Sequence, residues 1–547
     1  MLSIALVGCQ KDDNIIQENR SREKIMDTRQ DSYRYNEGRM VLGGYIDIPY
    51  SVSNLKKALE LLSPETRSAI QENDIVATHY YVKFSPKNEA ELSILKNNPK
   101  LILSEYPLDR EVLIDGCSYH DPSIPEDLPT FQYSTIEASY WKKLSDTLSI
   151  SFEVLIEAFM PDYYDDVETR ASHNIDHTAL EKLMATAYKM TGQEYMPETK
   201  ASKWFPSGRI TAYDNIAGKQ VPVKRLRIRG THLLKTIEAL TDENGYYSFP
   251  HSFRNKADMK IVWESDRWDI RDGNVVQAYF NGPKIHGEPW NVDIYNGELK
   301  ALRYAAIHRA AFRHYFGNNC GLSRPDNSRK EKIAYIHDDI DKGGVNGDYN
   351  QQWGTGVWSD IRIAGKNSSG WRLPSEIFST TCHELGHAAH YTNAGSIYRN
   401  SETRVLESWA RFVQYVLTRM EYNELGQSVL CGTTTINGKV YEYADLNYNF
   451  QYRDNDEDSR DYYAKYTPVL IDLVDDYNQL LYYKEQNPSI HPNDEIINFP
   501  AKEVENITFS SKTFGDIKTK LKTYASNFPN NQYNITSSNI DALFSVY

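Results

Sequence analysis

The segment that most constrains the fold is "WRLPSEIFSTTCHELGHAAHYT", which begins at Trp371. Pro374 and Ser375 are typical of a helix start, and the acidic Glu376 follows in the first turn. Apart from Gly386, no helix-breaking residue interrupts the rest of the segment. The pattern therefore predicts one long helix.

Two histidines of this predicted helix, His383 and His387, lie one turn apart on the same face. At that separation both imidazoles can bind one Zn²⁺ at about 2.0–2.1 Å. Glu384 projects beside this face and can accept a proton from a water whose pKa the ion lowers from 15.7 to about 7. These residue types predict a zinc site with a general base, which also needs a third protein ligand.

The residues after His387 exclude one class of zinc peptidase. A metzincin requires a glycine at position 390 and a histidine at position 393, where this chain has His390 and Asn393. We therefore expect the third ligand to follow another pattern.

A second predicted helix, "SETRVLESWARFVQYVLTRM", starts at Ser401 and carries Glu407, 20 positions after His387. The residues His383, Glu384 and His387, together with Glu407 in "ESWA", resemble the thermolysin-like gluzincin metallopeptidases. The resemblance implies two helices that face each other across Zn²⁺. It also implies that His383, His387 and Glu407 bind the metal ion and that Glu384 is the catalytic base.

Glu402 and His390 are the alternatives to Glu407 as the third ligand. Glu402 falls in the connection "NAGSIYRNSET" or on the first turn of the next helix, where a carboxylate is stabilised by the helix dipole. His390 shares a helix with His383 but lies two turns away, and we expect it to be a solvated residue. Glu407 lies about one turn into the second helix, which favours it as the ligand.

Further expectations concern the surroundings of this site. The stretch "WSDIRIAG" (358–365) is predicted to be an edge strand, and the resemblance to gluzincins implies that it runs beside the cleft and pairs with extended substrate. Some gluzincins have an outer aspartate four residues after the third ligand, but Arg411 occupies that position here, so the outer shell is expected to differ. Tyr463 and Tyr466 are candidates for the donor that stabilises the oxyanion. Cys382 is expected to be a small core residue.

The length of 547 residues predicts several domains and a multidomain α+β fold. Residues 1–35 are expected to be a signal remnant and a flexible tether, and residues 36–195 an α+β domain that is either propeptide-like or a docking domain. Helical periodicity dominates from Tyr140 to Gly192. Residues 277–547 are expected to be a mostly helical, zincin-like metallopeptidase domain.

Between these regions, residues 200–275 contain short strand patterns such as "GRITAYD" and "TDENGYYSF". Asp242 and Gly245 in the second stretch predict a tight hairpin. The order of these patterns resembles a carboxypeptidase regulatory-like β-sandwich. Such a module carries no catalytic groups, so the resemblance implies a role in spacing, docking or stabilisation.

Charge and cysteine usage limit the partners. A net charge of −14 without a dense Lys/Arg cluster argues against nucleic acid. The sequence contains no run of 18 or more apolar residues, so no membrane span is predicted. Its five cysteines are scattered, which predicts neither a disulfide scaffold nor a cysteine zinc cage. Cys9 closes "LVGC", which resembles a lipobox, and "CQKDDN" resembles the signal for the outer face of a Gram-negative outer membrane. We expect a lipid anchor at Cys9, and otherwise a secreted protein.

Two functions fit this sequence. The first is a zinc metallopeptidase that cleaves an extracellular peptide or protein substrate. The alternative is a non-catalytic surface lipoprotein that binds glycan or host protein. The 40 tyrosines would suit such a binding surface, because each has a flat apolar ring with a polar tip. Glu384 favours the peptidase, because binding alone requires no general base.

Overall fold

The computed structural model describes residues 37–161, 163, 176–197, 203–295, 299–325, 330–338, 347–350, 359–367, 370–427, 430–436, 439–444, 467–476, 478, 480 and 492–547. The protein has a multidomain α+β architecture, with several sheets in its N-terminal and central parts and a mostly helical C-terminal region. Within the described residues, no helix is both long and apolar enough to cross a membrane.

The N-terminal part combines antiparallel strands with short helices. Its elements are β1 (Val41–Tyr45), α1 (Val52–Leu61), α2 (Pro64–Arg67), β2 (His79–Ser85), α3 (Glu89–Lys96), β3 (Arg110–Ile114), β4 (Gln132–Glu137), α4 (Ala138–Ser145), β5 (Ser151–Ala158) and α5 (His177–Met190). The strands form a sheet of order β4-β2-β5 and a separate pair, β1-β3. Ser51 and Asn88 start α1 and α3 by accepting hydrogen bonds from backbone N–H groups of the first turn.

One expectation for this part was incomplete. Most of α4 and all of α5 lie between Tyr140 and Gly192, as the helical pattern predicted, but a strand lies there too. The strand β5 lies between Tyr140 and Gly192, where helical periodicity predicted helices. Phe152, Val154 and Ile156 occupy every second position of β5, although the intervening Leu155 is also apolar, and pairing with β2 stabilises the extended conformation. Helical periodicity of the flanking segments had obscured this local alternation.

The central part contains two four-stranded sheets. Their strands are β6 (Ser207–Asp214), β7 (Lys219–Pro222), β8 (Arg227–His232), β9 (Lys235–Leu240), β10 (Tyr246–Ser248), β11 (Ala257–Val262), β14 (Tyr279–Ile285) and β15 (Val292–Ile294). One sheet has the order β10-β6-β15, with β7 also paired to β6, and the other has the order β14-β11-β8-β9. Apolar residues of both sheets belong to one buried cluster.

The predicted hairpin at Asp242 and Gly245 is a tight turn that joins two different sheets. Gly245 has a φ of 80°, and the Asp242 side chain accepts hydrogen bonds from the backbone N–H groups of Asn244 and Tyr246. However, β10 pairs with β6 and β9 pairs with β8. The hairpin prediction was therefore wrong in its pairing, because turn residues specify the turn and not the partner of the following strand.

A five-stranded sheet follows, with the order β13-β12-β16-β18-β17. Its strands are β12 (Trp268–Asp272), β13 (Val276–Gln277), β16 (Glu331–Ile336), β17 (Gly347–Tyr349) and β18 (Ile361–Ala364). The three central strands are parallel and largely buried, as expected of a sheet covered on both faces. The helix α6 (Leu299–Tyr315) packs against β12 and β16, and the short pair β19 (Lys366–Asn367) and β20 (Gly370–Trp371) leads to the next helix.

The C-terminal region is built around two long helices, α7 (Pro374–Ala394) and α9 (Thr403–Glu424), which are joined through α8 (Ser396–Arg399). Pro374 occupies the first turn of α7, and Glu376 accepts a hydrogen bond from the Leu373 N–H, so the predicted start of this helix is confirmed. The remaining elements are the pair β21 (Leu430–Ile436) and β22 (Lys439–Ala444), then α10 (Val469–Asp472), α11 (Ala501–Phe509), α12 (Phe514–Asn527) and α13 (Ser537–Phe544). A second buried apolar cluster joins these helices.

Candidate metal centre

The helices α7 and α9 approach each other closely at Gly386. A Cβ atom at this position would lie 3.1 Å from Cβ of Val413 and 3.3 Å from Cα of Ala410. The Trp409 indole N–H donates to the Gly386 carbonyl oxygen at 3.2 Å, which links the two helices directly. The glycine between the two histidines therefore permits the close packing that brings residues of α9 to the histidine face of α7.

This packing brings His383, His387 and Glu407 together. The Glu407 Oε2 atom lies 3.3 Å from His383 Nε2 and 3.6 Å from His387 Nε2. Charge-assisted hydrogen bonds are shorter, about 2.7–2.9 Å, whereas neighbouring ligand atoms on a tetrahedral ion with bonds of about 2.0–2.1 Å lie roughly 3.3–3.4 Å apart. The three residues form a largely buried group that could hold a metal ion.

The electrostatics of the group keep the Glu407 carboxyl ionised beside the two imidazoles. Burial lowers the pKa of His383, so its imidazole is neutral, although Glu407 opposes this shift. Burial also acts to lower the pKa of His387, but the Glu407 charge outweighs it and the net shift is upward. Burial would raise the pKa of Glu407, but the two imidazoles lower it strongly, so this carboxyl is ionised. An ionised carboxylate beside imidazoles is a usual donor set for Zn²⁺.

Glu384 lies beside the metal-binding group and is 4% exposed. Burial raises the pKa of its carboxyl from 4.5 to about 8, and the charges of Glu407 and Asp348 add to the shift. Gly347 of β17 faces it, since a Cβ there would lie 2.9 Å from Glu384 Oε1. A glutamate whose pKa is raised into the neutral range can act as a proton acceptor and donor.

Gln414 is a site residue that the sequence did not indicate. Its Oε1 lies 3.3 Å from His383 Nδ1, and its Nε2 donates to the Ser379 hydroxyl at 2.7 Å. When His383 Nδ1 carries the proton, it donates to Gln414 and leaves the Nε2 lone pair available to a metal ion. Gln414 follows Glu407 by seven positions, two turns along α9 on the same face, and this spacing was the available signal.

The edge strand beside the site is β17, and the prediction for positions 358–365 was wrong. The strand in that stretch, β18, lies between β16 and β17 in the described sheet. The Tyr349 ring of β17 is nearly parallel to the His387 ring, at 8° and 6.5 Å between centroids. The stretch around Gly347 has turn residues and no apolar alternation, so its pairing depends on the backbone of β18 and not on a local pattern.

The alternative third ligands lie away from the metal-binding group. Glu402 precedes α9 and accepts a hydrogen bond from the Phe514 N–H at 2.8 Å. His390 is fully buried and stacks on Phe509, with 4.6 Å between ring centroids. The expectation that His390 is solvated was therefore wrong, because α11 covers this turn of α7. Cys382 is a buried core residue, as expected.

Three tyrosine rings form a chain of contacts that begins at His387. Tyr349 lies 6.2 Å from Tyr391, and Tyr391 lies 5.6 Å from Tyr398, measured between ring centroids. Burial raises the pKa of Tyr398, and the Glu407 and Glu384 charges raise it further. The Tyr398 hydroxyl is therefore close enough to these two carboxylates to be affected by their charges. Tyr463 and Tyr466, the predicted oxyanion candidates, lie outside the described residues.

Comparison with known proteins adds no family. No family model matches the chain, and no curated protein matches it. A solved structure, the 9R-lipoxygenase from Cyanothece PCC8801, is similar over 42% of this chain and 54% of that protein, with 9% sequence identity and a TM-score of 0.12. The match thus spans about half of the lipoxygenase, and at this level of similarity it supports no conclusion about fold or function.

Proposed function

We propose that this protein is a zinc-dependent peptidase of the gluzincin type, with His383, His387 and Glu407 as metal ligands. The observation that carries the proposal is the convergence of two imidazoles and one carboxylate from two helices, beside the buried Glu384. Three protein ligands with mixed nitrogen and oxygen donors are typical of catalytic zinc sites. A bound Zn²⁺ would supply Lewis acidity, which lowers the pKa of a water to about 7.

Glu384 moves the proton in this proposal. As a carboxylate it accepts a proton from the attacking water, and as the acid it gives that proton to the amine that leaves when the C–N bond breaks. The same residue therefore returns to its anionic form in each cycle. A bound cation would lower its pKa below the value of about 8, because a nearby positive charge favours the carboxylate.

The strand β17 is the proposed docking edge for the substrate. It is the last strand of the described five-stranded sheet, and its Gly347 lies close to Glu384. An extended peptide can pair with the backbone of such an edge and place its scissile bond near Glu384. The Arg362 Nε donates to Asp348 at 2.9 Å and holds β17 on β18. The proposed substrate is therefore a peptide or an unfolded segment of a protein.

The remaining assignments are parts of the same proposal. Residues 277–547 would form the zincin-like catalytic domain, residues 200–275 the carboxypeptidase regulatory-like module, and residues 36–195 a docking or propeptide-like domain. Lipidation at Cys9, which lies outside the described residues, would anchor the protein to the outer membrane. Mass spectrometry of the N-terminus after expression in a Gram-negative host tests this, and an unmodified Cys9 in a membrane-free fraction would contradict it.

The variant Glu384→Gln tests the proposed chemistry. It should retain stoichiometric zinc and lose hydrolysis of denatured casein or a quenched peptide library, because an amide cannot accept the proton of the water. Zinc content is measured on the same sample by elemental analysis. Glu402→Gln is the matched control, since it makes the same substitution outside the site and should retain both zinc and activity.

Two outcomes would contradict the proposal. Undiminished hydrolysis by Glu384→Gln would place the bond-breaking site elsewhere. A zinc-loaded parent protein that hydrolyses no peptide would favour the alternative, a surface protein that binds glycan or host protein without chemistry.

A further inference from the structure

A second group of carboxylates is buried in the C-terminal region, away from the metal centre described above. Asp472 at the end of α10, Asp475 just after it, and Asp494 before α11 are 0%, 4% and 3% exposed. One carboxylate oxygen from each residue lies within 4.8 Å of the other two. The two aspartates near α10 and the third are separated by 19 or more positions, so the fold brings them together.

Asp494 is the least satisfied member of this group. Its Oδ1 accepts a hydrogen bond from the Ile496 N–H at 3.0 Å. Its Oδ2 is buried and has no hydrogen-bond partner among the described residues. By contrast, Asp472 Oδ2 accepts a hydrogen bond from the Tyr547 hydroxyl at 2.8 Å. A buried carboxylate oxygen without a partner is unfavourable and points to a ligand or a proton that completes it.

The three negative charges cannot all be accommodated here without a cation or a proton. Burial raises the pKa of Asp494 to about 9, and the charge of Asp475 is the next largest cause. A shared proton would satisfy one oxygen of one residue. A cation would satisfy an oxygen of all three residues at once, because it attracts each carboxylate.

We propose that Asp472, Asp475 and Asp494 form a Ca²⁺ site. Ca²⁺ binds oxygen ligands at about 2.3–2.6 Å, so two oxygens on one ion are at most roughly 4.6–5.2 Å apart, and the observed separations fall within this limit. An all-carboxylate set favours a hard cation over Zn²⁺, which prefers nitrogen and sulfur. Mg²⁺ usually keeps several of its waters, which a group with exposures of 0% to 4% does not favour.

A cation at this position would join segments that are distant in sequence. The Phe499 N–H donates to the Leu473 carbonyl oxygen at 2.9 Å. The two chain segments that carry the aspartates are therefore in contact without a cation. The residues just before α10 also contact α9, because the Thr467 N–H donates to the Ser408 hydroxyl at 2.9 Å. Ser408 is adjacent to Glu407. The Ca²⁺ site would therefore stabilise the C-terminal helices and support α9 behind the metal ligand.

Calcium binding is tested on the full chain without reference to peptidase activity. The protein is treated with EGTA, which binds Ca²⁺ in preference to Mg²⁺, and its zinc content is checked before the titration. Addition of CaCl₂ to 1 mM should raise the Tm by about 5 °C, and one calcium per chain should be retained after gel filtration. MgCl₂ at the same concentration should produce a much smaller shift.

The variant Asp494→Asn should lose this calcium-dependent shift, because the amide removes one anionic ligand while its oxygen can still accept from Ile496. Asp476→Asn is the matched control, since Asp476 is exposed and neighbours Asp475. It should respond to CaCl₂ as the parent does. If Asp494→Asn does not fold, the calcium stoichiometry and the Tm response of the parent still decide the proposal.

Several results would overturn the proposal. A parent that neither retains calcium nor gains stability in CaCl₂ would show that a proton occupies the group. An equal response of Asp494→Asn and the parent would place any bound calcium elsewhere. An equal shift in MgCl₂ would contradict the choice of Ca²⁺.

Discussion

Charged side chains are buried in two regions of this protein, and the two regions differ in how those charges are balanced. The first region, here called the interface cluster, lies where the N-terminal part meets the five-stranded sheet. It consists of Glu89, Lys96, Asp269, Arg271 and Lys332. The second is the candidate metal centre between α7 and α9, called the metal centre below.

In the interface cluster, each acid has a basic partner within ion-pair distance. Arg271 donates to both oxygens of Glu89, at 2.7 and 3.2 Å, and Lys96 donates to Asp269 at 2.8 Å. Burial would raise the pKa of Glu89, but Arg271 and Lys332 lower it to about 2. Acids and bases of the N-terminal part thus pair with bases and acids of the sheet. Removal of the N-terminal part or of the sheet would leave buried ions unpaired.

In the metal centre, the two carboxylates face imidazoles and not permanent cations. Glu407 approaches two imidazole nitrogens at 3.3 and 3.6 Å, and burial raises the pKa of Glu384 to about 8. The comparison distinguishes a group of paired buried charges from a group that could hold a metal ion. Buried charges that are paired at hydrogen-bond distance serve folding, whereas buried donors that converge at longer distances on one point indicate a ligand.

The largest expected effect is on metal affinity. Glu407→Ala should lower zinc affinity by several orders of magnitude, more than the roughly 10–100-fold that loss of an outer partner produces. The reason is that two imidazoles on one helix then remain as the only protein ligands. Competition with a zinc chelator measures the affinity.

Glu402→Ala is the control for this prediction, since Glu402 contacts the Phe514 N–H and not the metal centre. It should retain stoichiometric zinc. His390→Ala should also retain zinc, although it should lose stability because its ring packs on Phe509. If Glu407→Ala binds zinc as tightly as the parent, the gluzincin assignment is wrong.

The second prediction disrupts the interface cluster. Arg271→Met should lower the free energy of unfolding by about 3–5 kcal/mol, because it removes the main partner of the buried Glu89 carboxylate and one of the two basic partners of Asp269. Urea unfolding of the full chain measures this. Lys284→Met removes one partner of an ion pair with Asp258 whose side chains are 55% and 56% exposed, and it should cost less than about 1 kcal/mol.

A small effect of Arg271→Met would mean that the cluster does not hold the two parts together. Zinc content should be unchanged in both variants, because the cluster and the metal centre share no residue. Loss of zinc in Arg271→Met alone would show that the two regions are coupled.

The parts of the site that could be predicted from sequence are those encoded locally. The start of α7 at Pro374 follows from start signals within the segment, and the second predicted helix, from Ser401 on, corresponds to α9 (Thr403–Glu424). Spacing along α7 was enough to predict that His383 and His387 share a face, and the resemblance to gluzincins indicated Glu407 on the next helix. These three residues come together because each of the two helices is indicated by its own local sequence and because the connection between the helices is short.

The parts that could not be predicted depend on distant pairings. Glu89 and Arg271 are 182 positions apart, and neither has a local signature that distinguishes it from a surface charge. The strand β17 is stabilised by backbone hydrogen bonds to β18. The strand β10 pairs with β6, although three other strands lie between them in the sequence. Such contacts are determined by tertiary packing, which the periodicity of a single segment does not record.

The third prediction refines the metal centre. Gln414→Leu should lower zinc affinity by about 10–100-fold, because it removes the acceptor that holds the His383 Nδ1 proton. Gln414→Glu is the matched variant, since its carboxylate still accepts from Nδ1, and it should retain affinity. Equal zinc affinities of Gln414→Leu and the parent would show that Gln414 does not orient the imidazole.

The smallest expected effect concerns Glu105, the acid beside the interface cluster that lacks a direct ion pair among the described contacts. Its Oε2 accepts from the Gln277 N–H at 3.0 Å, and burial raises the pKa of its carboxyl from 4.5 to about 7. Between pH 4.5 and 7 the folded protein therefore binds a proton that the unfolded chain releases. Stability from this group is fully present below pH 4.5 and is lost as the pH rises through 7.

Glu105→Gln should remove this dependence, because the amide carries no charge at any pH and still offers an oxygen to Gln277. At pH 8 the variant should exceed the parent in free energy of unfolding by on the order of 1–2 kcal/mol, and at pH 4.5 the two should be nearly equal. Urea unfolding at both pH values measures the difference, with the exposed Glu65→Gln as the control. If the free energies of unfolding of Glu105→Gln and the parent change with pH in parallel, Glu105 is ionised and paired like Glu89. The difference between Glu105 and the paired acids of the interface cluster would then disappear.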